Sequence, residues 1–298
     1  MSPPSGRPAR RRPAPSRASG RGDPNTNRSN SSAQRHNRRR QSSGPPLGEL
    51  GGDQVEGRRA VLELLTANRR VVRRILMAED QDPSAQLDHI EELAAQRRVP
   101  VESVPRARLD TQARTDAPQG VVALARPLDP VSLEDLSRPA NDGTPPFLLV
   151  AAGITDPRNL GALLRSAECA GVGGVVLPRH RSARLSATVT KTAAGAIEHL
   201  SFAVVGGIPT ALQELRDLGV WSIGLDGEAD QSLYDLPLGD GPVALVVGSE
   251  ERGLAPLVRR RCDALAAIPQ HGTLPSLNVG AAGAVACFEV ARQRATRP

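Results

Sequence analysis

The chain has 298 residues, 39% of them hydrophobic and 2% aromatic, with a formal net charge of +6, and it is long enough for two domains. No apolar run approaches the roughly 20 residues of a membrane-spanning helix, and the N-terminus lacks the apolar segment of a secretory signal, so we expect a cytoplasmic protein without a membrane partner. Cys169, Cys262 and Cys287 are far apart and outside any metal-ligand pattern, which predicts reduced core thiols and no metal site.

The positive charge is concentrated at the N-terminus. Residues 1–40 contain eleven arginines and one acidic residue, Asp23, a net charge of +10 that leaves −4 for the rest of the total of +6. Because residues 1–48 are rich in Pro, Ser, Arg and Asn and poor in apolar residues, they predict a disordered tail. Such a tail attracts nucleic acid with little sequence preference, and a purely solubilising tail is the alternative.

The next segment, up to residue 126, alternates between helical and extended patterns. The predicted elements are a helix at 57–68, a strand at 71–78, a helix at 84–98, a strand at 99–104, a further short helix and a strand at 121–125. They predict a small α/β domain at residues 53–126. A Pro- and Asp-rich linker follows at 127–145, with one helical turn at 132–136.

From residue 146 to residue 298, short apolar runs alternate with helical patterns. Strands are predicted at 147–150, 174–177, 202–205, 220–225, 243–247 and 264–268, and helices at 156–170, 186–198, 209–218, 254–262 and 276–294. This alternation predicts an α/β domain with a parallel sheet covered on both faces. Its ligand is expected at the carboxyl ends of the strands.

Three glycine-containing junctions follow strands of this domain, at residues 154–165, 246–253 and 268–279. Because the carboxyl ends of parallel strands meet at one edge of a sheet, we expect the junctions to build one composite site. The last junction leads into a helix N-terminus, whose spare N–H groups suit a ligand. An ordinary turn capped by Ser276 or Asn278 is the alternative for that junction.

The glycines do not form a known nucleotide-binding motif. Gly248 and Gly253 have the spacing of a P-loop, but Leu254 and Ala255 occupy the positions of its Lys and Ser/Thr. No G-x-G-x-x-G opens a helix, and no histidine accompanies a nucleophile elbow. The sequence therefore disfavours a triphosphate site, a standard dinucleotide site and a nucleophilic hydrolase.

The junctions share a set of spaced polar and glycine residues with one known family. The residues are Asn159-Leu160-Gly161 with Arg165 and Ala167, Val247-Gly248 with Glu250 and Gly253, and Ile268-Pro269 with Gly272 and Ser276-Leu277-Asn278-Val279. They resemble the three signature motifs of SpoU/TrmH-type RNA ribose 2′-O-methyltransferases, of the SPOUT class, over about residues 55–296. The resemblance implies a parallel sheet with a deep trefoil knot, a homodimer, S-adenosylmethionine as cofactor and a small RNA-binding N-terminal domain.

The resemblance also implies a set of site residues. Gly248, Ile268 and Leu277 would line the cofactor site, with Leu225 and Gly227 as neighbours. The polar candidates for catalysis are Asn159, Arg165, Glu250, Ser276 and Asn278. Of these, Ser276 and Asn278 either hold the cofactor or cap the last helix.

Elementary chemistry constrains two of these roles. Six residues at 100° each place Arg165 about 120° round the helix from Asn159, so the two need not share a face. A guanidinium is effectively never deprotonated, so we expect Arg165 to hold a substrate phosphate and stabilise the developing alkoxide, with a surface salt bridge to Glu168 or Glu250 as the alternative. Glu250 is expected to orient Arg165 or Asn159, or to be a simple acid at a helix N-terminus.

Connecting segments at 181–183, 227–230 and 233–234 resemble family members that act on a guanosine of large-subunit ribosomal RNA. The predicted function is therefore S-adenosylmethionine-dependent 2′-O-methylation of a ribose, at a guanosine of 23S ribosomal RNA. One alternative keeps the chemistry on transfer RNA or another ribosomal nucleotide. The other is a catalytically silent RNA-binding protein of ribosome assembly.

Overall fold

A computed structural model of the chain describes residues 50–274 and 276–296. The predicted tail at 1–48 lies outside the described residues. The first elements are β1 (Gln54–Glu56), α1 (Arg58–Ala67), β2 (Val72–Ala78), α2 (Ala85–Gln96), β3 (Val101–Val104), α3 (Arg106–Gln112) and β4 (Val121–Ala125). The four strands form one sheet in the order β1-β4-β2-β3. Helices α1 and α2 pack on it through buried residues such as Leu64, Ile75 and Ile90.

Strand β1 is absent from the sequence prediction because it is short and two of its three residues are polar. Gln54 and Glu56 are nevertheless buried, since β1 pairs antiparallel with β4. The Glu56 carboxylate accepts hydrogen bonds from the backbone N–H groups of Arg114, at 2.6 Å, and Thr115, at 3.0 Å. These partners lie 58 and 59 positions away, so no local pattern could indicate the strand.

The remaining elements form the second part of the chain. They are α4 (Leu133–Leu136), β5 (Phe147–Ala151), α5 (Pro157–Cys169), β6 (Gly174–Pro178), α6 (Ala187–Thr192), β7 (Ser201–Val205), α7 (Ile208–Asp217), β8 (Trp221–Leu225), β9 (Val243–Val247), α8 (Pro256–Arg261), β10 (Ala264–Ala266) and α9 (Val279–Ala295). The strand order is β10-β8-β9-β5-β6-β7, and all five pairings are parallel. Buried clusters flank the sheet, and the predicted parallel α/β sheet is confirmed.

The helix predicted at 186–198 is wrong in its second half. Helix α6 ends at Thr192, and a 3₁₀ turn at 196–198 follows Ala194 at φ 51° and Gly195 at φ 86°. A Cβ at position 195 would lie 2.5 Å from the Cβ of Glu63 on α1. The chain therefore turns here to accommodate the packing of α1, which a local pattern does not reveal.

Helices α5 and α9 pack closely against each other. A Cβ at Gly283 would lie 2.2 Å from Cδ1 of Leu163, so the glycine at this position lets the two helices approach closely. The predicted start of the last helix at residue 276 is three residues early, because Asn278 caps it. This packing brings the N-terminal turns of α5 and α9 together.

No helix within residues 50–274 and 276–296 is long and apolar enough to cross a membrane. The three cysteines are free thiols. Cys287 is buried, but Cys169 lies on the outer face of α5 and is exposed, so the expectation of a core thiol is wrong there.

Candidate active site

The three motif junctions meet at one edge of the large sheet. They follow β5, β9 and β10, and in the sheet β5 lies beside β9 while β8 separates β9 from β10. Residues after β8 therefore lie between two of the motifs. This convergence is the composite site that the sequence predicts.

A hydrogen-bonded chain joins one polar residue from each motif. Asn159, in the first turn of α5, donates from Nδ2 to Oε1 of Glu250 over 3.2 Å. Asn278 donates from Nδ2 to Oδ1 of Asn159 over 3.0 Å. Because Asn159 uses both ends of its amide, its orientation is set by the two other motifs.

Asn278 is also the N-cap of α9. Its Oδ1 accepts from the backbone N–H of Gly280 at 2.9 Å and of Ala281 at 3.3 Å. These bonds satisfy donors that a helix start leaves free. Asn278 therefore caps α9, which is the alternative expected from the sequence, and its side-chain amide contacts Asn159 and α9.

Glu250 accepts several hydrogen bonds at the start of α5. Besides Asn159, the backbone N–H of Asp156 donates to Oε1 at 3.2 Å and that of Thr155 donates to Oε2 at 3.4 Å. Desolvation acts to raise the pKa of Glu250, but hydrogen bonds from its own backbone, Asn159, Asp156 and Thr155 outweigh it and hold the pKa below its usual range. Glu250 therefore orients Asn159, one of the two partners expected for it.

A cavity of about 270 Å³ opens beside this chain of hydrogen bonds. Its apolar lining comprises Leu225, Val247, Ile268, Leu277 and Val279, and its polar lining includes Asp226, Ser249, Glu250, Glu251, Gln270 and Ser276. The cavity brings together the five residues expected to bind the cofactor by apolar or backbone contact, which are Gly248, Ile268, Leu277, Leu225 and Gly227. Ser276 also lines it, whereas Asn278 is not among its lining residues.

Gly248 is required by the shape of the cavity wall. A Cβ there would lie 2.2 Å from the carbonyl carbon of Gly253, because the loop folds back on itself. Two backbone hydrogen bonds close the loop, from Ser249 N to Gly253 O at 2.9 Å and from Gly253 N to Ser249 O at 3.0 Å. The tight loop holds Glu250 and Glu251 at the cavity.

Asp226 is a lining residue that sequence reasoning missed. Its Oδ2 lies 2.8 Å from Nε of Arg259 on α8, and its Oδ1 accepts from the backbone N–H of Glu228 at 3.0 Å. The ion pair ties the loop after β8 to the helix that follows the Glu250 loop. Its position directly after a strand, beside Gly227, was the available signal.

Arg165 lies outside this cavity. Its exposed side chain lines a separate cleft of about 360 Å³ with Arg59, Glu63, Glu168 and His199. Within the described part of the chain it forms no ion pair, so the expected alternative of a salt bridge with Glu168 or Glu250 is not observed. The helical angle between the two residues explains why Arg165 does not join the hydrogen bonds that Asn159 makes with Glu250 and Asn278.

Among the described residues, no group of three or more His, Cys, Asp and Glu side chains is placed to hold a metal ion. The cavity instead combines apolar walls, an exposed loop backbone and three carboxylates, those of Asp226, Glu250 and Glu251. Such a lining suits an organic ligand with a flat apolar part and positive charge.

Comparison with known proteins gives a consistent set of relatives. The sequence profile of the SpoU rRNA Methylase family matches residues 146–288, and that of RNA 2′-O ribose methyltransferase substrate binding matches residues 54–131. The 23S rRNA (guanosine-2′-O-)-methyltransferase RlmB of Pseudomonas aeruginosa is 42% identical over 81% of this chain and 97% of its own length. The putative TrmH family tRNA/rRNA methyltransferase YacO of Bacillus subtilis is 36% identical over 81% of this chain and 96% of its own.

The fold has solved counterparts. The SpoU methyltransferase AviRb from Streptomyces viridochromogenes, in complex with the cofactor AdoMet, superposes with a TM-score of 0.66 at 22% identity. The match covers 82% of this chain and 91% of that chain.

Proposed function

The chain belongs to the SpoU family of rRNA methylases, and we propose that it methylates the ribose 2′-oxygen of a guanosine in 23S ribosomal RNA, with S-adenosylmethionine as methyl donor. The observation that carries the proposal is the joining of Asn159, Glu250 and Asn278, one from each motif, beside a single cavity. The substrate assignment rests on the likeness to RlmB over 97% of that protein's length.

The cavity fits this cofactor on structural grounds. Leu225, Ile268 and Leu277 would hold its apolar parts, and Gly227, Gly248 and Ser276 would meet its polar groups. The absence of space for a Cβ at Gly248 leaves the loop backbone as the wall there, and the neighbouring carboxylates balance positive charge. S-adenosylmethionine supplies an electrophilic methyl group carried on a positively charged sulfur.

The residues of the chain must align the ribose hydroxyl and stabilise it as its proton leaves. We assign Asn159 to orienting the acceptor, with Glu250 and Asn278 fixing its amide, and Ser276 to a polar contact at the cavity. Arg165 would hold an RNA phosphate and stabilise the developing alkoxide, because its permanent charge suits that task and not proton abstraction.

We also infer a homodimer, and the position of Arg165 supports this inference. Arg158, Ala162, Arg165 and Cys169 form the exposed stripe of α5, and Phe288 on α9 is 51% exposed. Ala162 adjoins the start of α9, since its Cβ is 3.6 Å from a Cβ built on Gly280. We infer that two copies associate through this face, which would bring Arg165 of one copy toward the cavity of the other.

The family also supports a deep trefoil knot in the second part of the chain. Helix α9 follows the edge strand β10, yet its Gln293 accepts from the backbone N–H of Leu238 at 2.8 Å and donates to the carbonyl of Leu236 at 3.0 Å. The last helix therefore returns to the segment between β8 and β9. This return is compatible with a chain that passes through its own loop.

We further infer a separate role for each segment of the chain. Residues 53–126 would bind the RNA substrate, and residues 146–298 would carry the catalytic site, in line with the two family profiles. Residues 127–145 would link the two domains. The Arg-rich residues 1–48 would add electrostatic affinity for RNA, and the protein would work in the cytoplasm, where ribosomal RNA is found in bacteria.

A labelling experiment tests the proposed function. Purified full-length protein is incubated with methyl-tritiated S-adenosylmethionine and total RNA from cells that lack the protein, and the RNA is separated by size. Label in 23S ribosomal RNA is the expected result. Label in transfer RNA would favour the broader activity named for the Bacillus relative, and no label together with no cofactor binding would favour a silent RNA-binding protein.

A further inference from the structure

Two consecutive arginines of the segment between α1 and β2 reach into the second part of the chain. Arg70 donates from Nη1 to Oε1 of Glu198 over 2.9 Å, and both side chains are completely buried. Arg70 also donates from Nε to the carbonyl of Arg126 at 2.6 Å and from Nη2 to the carbonyl of Gly52. One guanidinium thus connects the small sheet, the start of the linker and the 3₁₀ turn at 196–198.

Burial has the largest effect on the Glu198 carboxyl and keeps its pKa above the usual value. Oε2 of Glu198 is buried and has no hydrogen-bond partner among the described residues. The charges of Arg70, Arg69 and His199 oppose the rise in the pKa of Glu198. Within the described part of the chain, Arg70 is therefore the one side chain that hydrogen-bonds this fully buried carboxylate.

Further polar contacts surround the buried pair. Arg69 donates from Nη1 to the carbonyl of Leu200 at 2.8 Å and from Nη2 to Oγ of Ser201 at 3.2 Å. Nε2 of His199 lies 2.9 Å from Oε2 of Glu63. All of these contacts join α1 or the loop after it to residues 198–201.

We propose that the Arg70–Glu198 pair is a positioning element that fixes the orientation of the substrate-binding domain on the catalytic domain, and so the place at which RNA is presented for methylation. This inference rests on the proposed function for its RNA consequence. The pair itself touches neither substrate nor cofactor.

A buried ion pair adds little net stability, but separating its partners is costly. Removing two charges from water is costly, and the attraction between them compensates only when the partners meet in good geometry. A shifted domain would leave the Glu198 carboxylate buried without the Arg70 guanidinium. The apolar cluster that contains Ile197, Leu50 and Leu128 carries no such penalty, because the burial of apolar surface is not directional.

The orientation matters because it shapes the cleft that contains Arg165. Arg59 and Glu63 on α1 form one wall of this cleft, and Arg165 on α5 and His199 lie on the other. Rotation of the small domain would therefore move Arg59 relative to Arg165. RNA held by the small domain would then reach the phosphate-binding arginine at a different distance.

The test replaces the pair with apolar residues of similar size, R70L/E198L, in the full-length protein. Hydrogen–deuterium exchange is measured over residues 194–201, and KM for a 23S ribosomal RNA fragment is measured beside kcat and the Kd of S-adenosylmethionine. The matched control is R138L/E134L, which removes an exposed pair at α4 in the linker, where Arg138 Nη2 lies 3.0 Å from Glu134 Oε1. The conservative variant E198Q keeps the side-chain shape without the charge.

We expect R70L/E198L to exchange faster at 194–201 and to raise KM for RNA at least tenfold, with the cofactor Kd unchanged and E198Q intermediate. The control should change neither quantity. Unchanged exchange and unchanged KM in the double variant would overturn the proposal, and if that variant fails to fold, an unchanged KM in E198Q would do the same. A wild-type protein that methylates no RNA would refute the proposed function instead, while the exchange measurement would still decide whether the pair fixes the orientation.

Discussion

Asn278 donates a hydrogen bond from its side-chain Nδ2 to Oδ1 of Asn159 over 3.0 Å, although the two residues lie 119 positions apart. Asn159 in turn donates to Glu250, 91 positions away. Each of the three motifs therefore contributes one polar side chain to a continuous chain of hydrogen bonds. The fold of the sheet thus brings together three motifs that are far apart in the sequence.

Replacing Asn159 with Ala should remove its hydrogen bonds to Glu250 and Asn278. A hydrogen bond to a charged group contributes about 1.5–3 kcal/mol, so we expect kcat/KM for RNA to fall roughly 10- to 100-fold. Steady-state methylation assays measure the fall. Asn141→Ala, in an exposed loop, is the matched control and should leave kcat/KM unchanged. An N159A variant with normal kcat/KM would contradict a role in orienting the acceptor.

Replacing Asn278 with Asp should separate capping from orientation. An Asp keeps the acceptor that serves Gly280 and Ala281, so the thermal midpoint should change little. It cannot donate to Oδ1 of Asn159, so methylation should fall about as much as in N159A. Calorimetric melting and the methylation assay give the two readouts. A loss of stability with full activity would reverse the assignment.

Leu277→Ala should weaken cofactor binding with a small effect on folding. Leu277 lines the cavity and is 44% exposed, so a bound cofactor would bury about half of a leucine side chain, worth about 1 kcal/mol or roughly fivefold in Kd. Leu257→Ala is the matched control, because Leu257 is 49% exposed on α8 and lies outside the cavity lining. Titration calorimetry should distinguish the two variants. Equal Kd values would place the cofactor elsewhere.

The pH dependence of Glu250 should appear only in acid. Its pKa in the folded protein lies below the ordinary 4.5, so the stability that it contributes is present above pH 4.5 and is lost as pH falls through the lower folded value. Glu250→Gln should therefore flatten the decline of the thermal midpoint below pH 4.5. Melting curves from pH 3 to 7 test this. An identical acid decline in both proteins would show that Glu250 does not contribute to it.

The parallel sheet could be predicted because its signals are local, whereas the cavity lining was expected only from the resemblance of the three motifs to a known family. Apolar runs such as 243–247 indicate buried strands, and the motif glycine Gly248 follows one of them. The helical angle between Asn159 and Arg165 also anticipated their separation. The inferences on the strands and on the helical angle need only a few neighbouring residues.

The remaining features depend on partners far along the chain. The polar strand β1 is stabilised by β4, the break at Gly195 by packing against α1, and Asp226 is held by Arg259. The buried contact of Arg70 with Glu198 joins residues 128 positions apart. Sequence patterns in a single chain carry no direct record of such pairings, so these contacts required the structure.

The central claim is the methylation of a ribose in 23S ribosomal RNA, and nucleotide-resolution mapping of 2′-O-methylation tests it most directly. The mapping compares ribosomal and transfer RNA from cells with the protein, without it, and with it restored. We predict that one guanosine of 23S ribosomal RNA loses its ribose methyl group in its absence and regains it on restoration. An unchanged 23S pattern, with or without loss of a transfer-RNA mark, would contradict the claim.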